Sequence, residues 1–223
     1  MRRIFLLALL AFSTGHAALA QVTSFNIDSS KFDISLMKTL DSIYIKDQSN
    51  RIALIQARER NESPARIDSL SNNMRIGDIQ NLEKVKAILE KHGWLGPQKV
   101  GMQASQALFL VIQHANLKTQ EHYLPMIRTA EKNGETLSSN LAIFEDRINV
   151  RNSKPQIYGS QFFTDKETGK KYIYPIIDVD NLEARRKAMG MPQMQEYSKG
   201  WDLQNYKKDL PMIEEAVKRQ NIK

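Results

Sequence analysis

Cysteine is absent from the chain. That excludes a disulfide framework, a thiolate zinc site and a thiol nucleophile. Ten glycines and seven prolines in 223 residues exclude collagen-like or low-complexity character. Charge of a single sign is lacking too: 32 Lys and Arg stand against 25 Asp and Glu, for a net charge of +7. The basic residues are dispersed, and the densest group, Lys166 to Lys171, also contains Glu167. This is not the footprint of a nucleic-acid binder. Mild attraction to an anionic envelope surface and a plain solvated surface explain the charge equally well. There is no Gly-rich phosphate loop, no dinucleotide fingerprint and no Gly-x-Ser-x-Gly elbow. Histidines spaced four apart on a helix are missing, so no metal site is expected, and no cofactor. At 41% hydrophobic residues the chain is nevertheless an ordinary globular one, not a disordered one.

The clearest positive signal is at the start. Arg2 and Arg3 precede an apolar run from Ile4 to Phe12, which Ser13 to His16 break, and Ala18-Leu19-Ala20 is a small-x-small site ahead of Gln21. These are the three parts of a secretory signal peptide, expected to leave as residues 1–20. The rival reading is a membrane anchor, but a span needs about 20 apolar residues. The arginine pair also suggests a twin-arginine signal, although the cationic part is short for that. The expected product is periplasmic or secreted, with no transmembrane segment in the mature chain. About 200 residues suffice for one domain with a real core.

Residues 21–31 are polar and Ser-rich and are expected to be a mobile N-terminal segment. From residue 32 onward the pattern predicts a single, mainly α domain of antiparallel helices with one small β-hairpin. Ile34 to Arg60 carries a helical stripe of Leu36, Leu40, Ile43, Leu54 and Ile55. Asp47 and Arg51 interrupt that stripe one turn apart. A second helix should follow Pro64, and a third should end at His92-Gly93. Trp94 to Val100 reads as a loop. Gln103 to Ala115 is apolar around most of its circumference, so it should be central, with Gln103 and His114 on one face. Thr119 to Asn133 is another helix, and Ser138 or Ser139 should cap the next, which carries Asp146-Arg147. Arg147 falls on the face of Ile143 and Val150 and should be partly buried. Gln156 to Thr164 and Lys170 to Ile177 read as two strands around a turn. In such a strand Gln156, Tyr158 and Ser160 would share one face, and Gln161 would lie on the other. Asp180 should cap a short helix to Met189, and a last helix should lie near Leu210 to Gln220.

Asp47-Gln48 with Arg51, Gln113-His114-Ala115, Asp146-Arg147 and Gln156-Ile157-Tyr158-Gly159-Ser160-Gln161 form a combination. It resembles a bacterial family, domain of unknown function number 6624. The likeness covers most of the mature chain and is densest from Gly93 to Gly190. The family's usual Tyr-Gly-Thr-Gln stands here as Tyr158-Gly159-Ser160-Gln161. Pro175, Asp178, Arg186 and Gly190 also fall where that family places such residues. The resemblance implies no activity; it supplies candidate residues.

Each candidate has a structural reading beside a functional one. His114 is either a satisfied core histidine or a base or ligand donor. Asp47 and Arg51 are either an ion pair tying helices together or a guanidinium fork presented to an anion. Gln156, Tyr158 and Gln161 either anchor the hairpin or line a polar pocket with His114, Asp146 and Arg147. Three functions follow. The first is an exported domain whose polar pocket binds a small or extended envelope ligand. The second is a hydrolase with His114 or Asp146 as general base. The third is a structural or interaction protein in which the polar set is scaffold.

Overall fold

A computed structural model describes residues 21–221. The expected signal peptide, residues 1–20, lies outside them. The described chain is mainly α: nine α-helices and one two-stranded antiparallel sheet. The helices are α1 (Ile34–Glu59), α2 (Pro64–His92), α3 (Pro97–Val100), α4 (Met102–His114), α5 (Leu117–Lys132) and α6 (Ser138–Arg151). After the hairpin of β1 (Phe162–Thr164) and β2 (Lys171–Ile173) come α7 (Leu182–Ala188), α8 (Met194–Tyr197) and α9 (Leu203–Asn221).

Local chemistry sets most helix starts. The Asp33 carboxylate accepts from the Leu36 N–H at the head of α1. Ser63 does the same for Arg66 ahead of Pro64, and Asn116 for Thr119. Each such cap is worth about 1 kcal/mol. At α6 the expected serine cap does not form. Leu137 holds the cap position, and Ser138 is drawn inside, where its hydroxyl donates to Glu131 and accepts from the Val22 N–H. That bond, with the Ser138 N–H donating to the Val22 carbonyl, ties the N-terminal segment expected to be mobile to the start of α6.

α4 is the central helix and packs against α1, α2, α3 and α5. Its Ala104, Leu108, Phe109 and Ile112 are sealed among Leu40, Leu89, Ile127 and Phe144. Burying each large apolar side chain there stabilises the fold by about 1.5–3 kcal/mol. Ile55 leaves the expected stripe: it is 53% exposed. A second apolar cluster, with Phe163, Ile173, Leu182, Met194, Tyr206 and Ile213, sits under the hairpin and α7 to α9. α6 gives Leu141, Phe144 and Ile148 to the first cluster, and its Asp146 accepts from N–H groups of the loop ahead of β1.

The hairpin is shorter than the sequence suggests. β1 pairs with β2 only over Phe162–Thr164 and Lys171–Ile173. Gln156 to Gln161 is not a strand, so the expected alternation of faces does not hold there. Gly159 takes φ +71°, and Ile176 Cδ1 and Met194 Sδ stand 3.2 Å from where a Cβ would be. A left-handed residue at close quarters breaks a strand and favours glycine. The Asp180 cap is also replaced: Val179–Asn181 forms a 3-10 turn before α7, and Asp180 pairs with Lys207 instead. Within the described residues no helix is long and apolar enough to cross a membrane.

Candidate anion-binding site

Asp47 lies in the α1 stripe at 2% exposure. A buried carboxylate needs partners, and it has three. Nδ1 of His114, at the end of α4, is 3.0 Å from Oδ1. Gln48 donates to Oδ2 at 2.7 Å. Arg51, one turn along α1, reaches both oxygens at 3.3 Å. Arg51 also donates to Asp78 Oδ1 on α2 at 2.6 Å. Burial pushes the Asp47 carboxyl up, but the hydrogen bond and charge of His114, and then Arg51, outweigh it and hold the pKa below the usual value. Asp47 is therefore ionised at neutral pH and accepts only. It follows that His114 carries its proton on Nδ1. Nε2 makes no hydrogen bond among the described residues, and in the neutral ring it carries the free lone pair. The His114 side chain is 16% exposed, so solvent reaches the ring while Asp47 behind it is sealed.

Gln103 shares the α1-facing side of α4 with His114, and its amide donates to Asp41. The one-face reading of these two residues thus describes how α4 sits on α1.

Asp47, Asp78 and His114 each place a ligand atom within 4.8 Å of the others, a spacing compatible with a cation. Arg51 already lies between the two carboxylates and pairs with both. A metal would have to displace it.

Arg147 is half-buried on α6. Its Nε is buried without a partner, and no carboxylate lies within ion-pair distance of it among the described residues. The charges that reach it are those of Arg151 and Arg51, with the Tyr197 hydroxyl as the one opposing group. Burial first, then those two guanidiniums, pull its pKa down. Arg151, one turn further on, donates from Nη1 to the Ala115 carbonyl at 2.7 Å, beside His114. Three arginines therefore gather around the end of α4.

Asp146 has a different task. It is fully buried. Its Oδ1 accepts from the N–H of Ile157 at 2.6 Å and of Tyr158 at 2.9 Å, and its Oδ2 from Ser160 at 2.9 Å. This one carboxylate curls the Gln156 to Gln161 loop. Burial pushes its pKa up, and the three N–H groups pull it back without cancelling the rise. With both oxygens occupied and sealed, Asp146 is an anchor. Gln156 is an anchor too: its amide donates to Gln161 O and Tyr174 O and accepts from the Gln161 N–H. The Gln161 side chain donates to Ser160 Oγ. Tyr158 lies among Glu145, Asp146, Arg185 and Arg128, and burial pushes its hydroxyl up to about 12. It is not among the groups gathered at Arg147.

Of the eight candidates, Asp47, Arg51 and His114 form one cluster, with Arg147 within charge range of it. Asp146, Gln156 and Gln161 form a loop anchor, and Tyr158 stands apart. The sequence reading missed Asp78, Arg151 and Tyr197 as contributors, and had Arg186 only from the family resemblance. Arg186 has no exposed surface; it donates to the carbonyls of Pro192 and Tyr158 at 2.8 and 2.5 Å. Its guanidinium lies 4.6 Å over the Tyr197 ring, whose hydroxyl donates to Ser160 O. Tyr197 stacks in turn on Phe162, and Lys171 Nζ lies 4.6 Å over Phe162. A cavity of about 640 Å³ opens beside this stack, next to Trp201 and Asp209. Phe162 and Tyr197 both line this cavity.

The family comparison matches residues 35–207, which take in all eight candidates together with Asp78, Arg151, Arg186 and Tyr197. The chain belongs to the family of unknown function DUF6624. No curated protein and no solved structure matches it. Membership in DUF6624 assigns no chemistry, so the reading of this member rests on its geometry.

Proposed function

We propose that this protein is an exported binding domain for an anionic ligand, held between α1, α4 and α6 by Arg147, with Arg51, Arg151 and His114 around it. The observation that carries this is the uncompensated Arg147. A partly buried guanidinium without a carboxylate, repelled by two others, costs stability. A ligand anion supplies the missing counter-charge, and a guanidinium fork suits carboxylate or phosphate oxygens. Export rests on the N-terminal pattern of Arg2-Arg3, the Ile4 to Phe12 run and Ala18-Leu19-Ala20.

Two experiments test it. Cell fractionation with N-terminal sequencing should recover a chain that begins at Gln21 outside the cytoplasm; a retained chain that still begins at Met1 would remove the export claim. Thermal melting of wild type and Arg147→Ala against phosphate, pyrophosphate, citrate, acetate and neutral sugars tests the ligand. The expected result is a rise in Tm with at least one anion in wild type and none in the variant. A response to neutral compounds alone would refute the anionic reading.

A further inference from the structure

The geometry points to a hydrolytic activity at this site: cleavage of a phosphodiester, with His114 as general base for the attacking water. The inference rests on the anion-binding role proposed above and gives that anion a chemical class and a fate.

Three observations meet here. The first is the orientation of His114. Asp47 accepts from Nδ1 at 3.0 Å and fixes the tautomer that leaves Nε2 basic. A carboxylate behind an imidazole holds the ring and stabilises the imidazolium that forms when Nε2 takes a proton. The second is access. The His114 side chain is 16% exposed and that of Arg51 19%, against 1% for Asp47. The base is reachable, and the group that orients it is not. The third is charge. Arg51 pairs with Asp47 and Asp78, while Arg147 and Arg151 have no carboxylate within ion-pair distance among the described residues; with the His114 ring neutral, these five groups sum to one positive charge. A phosphodiester carries one negative charge and a phosphate monoester up to two, so the excess matches the diester. The charged groups around His114 come from α1 (Asp47, Arg51), α2 (Asp78) and α6 (Arg147, Arg151).

The step balances without a redox partner. A water oxygen attacks phosphorus while its proton passes to Nε2 of His114. The bond from phosphorus to the leaving oxygen breaks, and that oxygen keeps the electron pair. The imidazolium then returns the proton to the leaving alkoxide. The products are a phosphate monoester and an alcohol, and His114 is restored. Arg147 meets the negative charge that grows on the phosphoryl oxygens, the place where a preorganised cation counts most. Asp47 is a positioning residue that acts through His114.

The experiment uses the full exported chain with bis(p-nitrophenyl) phosphate, a monoanionic diester, as probe. Saturable release of p-nitrophenolate is expected. His114→Gln should lower kcat about 100-fold or more, the range general bases supply, with KM nearly unchanged. Arg147→Ala should raise KM and also lower kcat, because Arg147 both binds the anion and meets the charge that grows on it. Asp47→Asn should lower kcat and alter the acid limb of the pH profile, which a merely structural role would not do. His122→Gln, an exposed histidine on α5, should leave both constants unchanged. If His114→Gln fails to fold, wild type still decides: its kcat/KM must show an acid limb, and ¹⁸O from solvent water must enter the phosphoryl product. Probe that binds saturably, seen as a rise in Tm, without turnover overturns the hydrolytic step and leaves the binding reading intact. Absence of both binding and turnover overturns the phosphodiester class, and the anion panel then judges the broader reading by itself. Faster turnover of p-nitrophenyl phosphate than of the diester overturns the monoanion assignment.

Discussion

Asp146→Ala tests how the Gln156 to Gln161 loop is held. The carboxylate accepts from three backbone N–H groups at 2.6 to 2.9 Å, and no helix or strand offers them another acceptor. The Ser160 N–H is buried, and leaving it unpaired costs about 2 to 3 kcal/mol. The N–H groups of Ile157 and Tyr158 are half-buried, so water recovers part of the loss and each costs about 1 kcal/mol. Removing a carboxylate whose pKa burial has raised also relieves a desolvation cost. The net expectation is a loss of about 3 kcal/mol, against a total stability of about 5–15 kcal/mol for such domains. For a domain of this size that lowers Tm by about 6 to 12 °C. Asp146→Asn should lose less. Its amide oxygen in place of Oδ1 keeps Ile157 and Tyr158 and abandons only Ser160. Urea unfolding of the three proteins measures the differences, and amide exchange at residues 157, 158 and 160 reports where the fold loosens. A loss below about 1 kcal/mol in Asp146→Ala, with those amides still protected, would refute the anchor role.

Acid titration should separate the two buried carboxylates by sign. The Asp47 pKa is lowered in the fold by His114 and Arg51, so its pairing stabilises above the unfolded carboxyl pKa and is lost as pH falls through the folded value. The Asp146 pKa is raised by burial, so its contribution is full below the unfolded pKa and is lost as pH rises through the folded one. Unfolding free energies from pH 7 to pH 3 should therefore fall less steeply in Asp47→Asn than in wild type, and more steeply in Asp146→Asn; equal slopes in all three would sink the assignment. Arg186→Ala should cost about 3 to 5 kcal/mol, because it strands the Tyr158 and Pro192 carbonyls and empties the space over Tyr197. Arg186→Met, which refills that space and removes an Nη2 that has no partner, should cost measurably less in the same denaturant assay.

The parts legible in the sequence are those set by local periodicity. The long helices follow their apolar stripes, and α4 is central because it is apolar around most of its girth. Asp47 and His114 were legible as polar exceptions on otherwise buried faces, and the structure sets those exceptions against each other. Asp78 carried no such signal, because α2 is weakly patterned and an aspartate there reads as solvated surface. Arg186 sits in Ala-Arg-Arg-Lys, which reads as the basic end of an exposed helix. Only the loop carbonyls that fold over it show that it is sealed. The strand reading of Gln156 to Gln161 failed for the same kind of reason. Its alternating aromatic and polar residues suit a strand, but a carboxylate ten or more residues upstream captures three of its N–H groups and makes a curl cheaper than a ladder. Asp47 and Asp146 look alike in sequence, each an acid set among the apolar positions of its helix. Their neighbours divide them: guanidinium and imidazole beside one, backbone N–H groups around the other. Asp146 spends its acceptors on the chain's own loop and has none to offer outward. Asp47 spends its acceptors on His114, Gln48 and Arg51, and the partly exposed His114 keeps a nitrogen with no hydrogen bond among the described residues. The outward-facing chemistry we propose therefore lies beside the α1–α4 contact, with Arg147 of α6 as the cation that has no counter-ion.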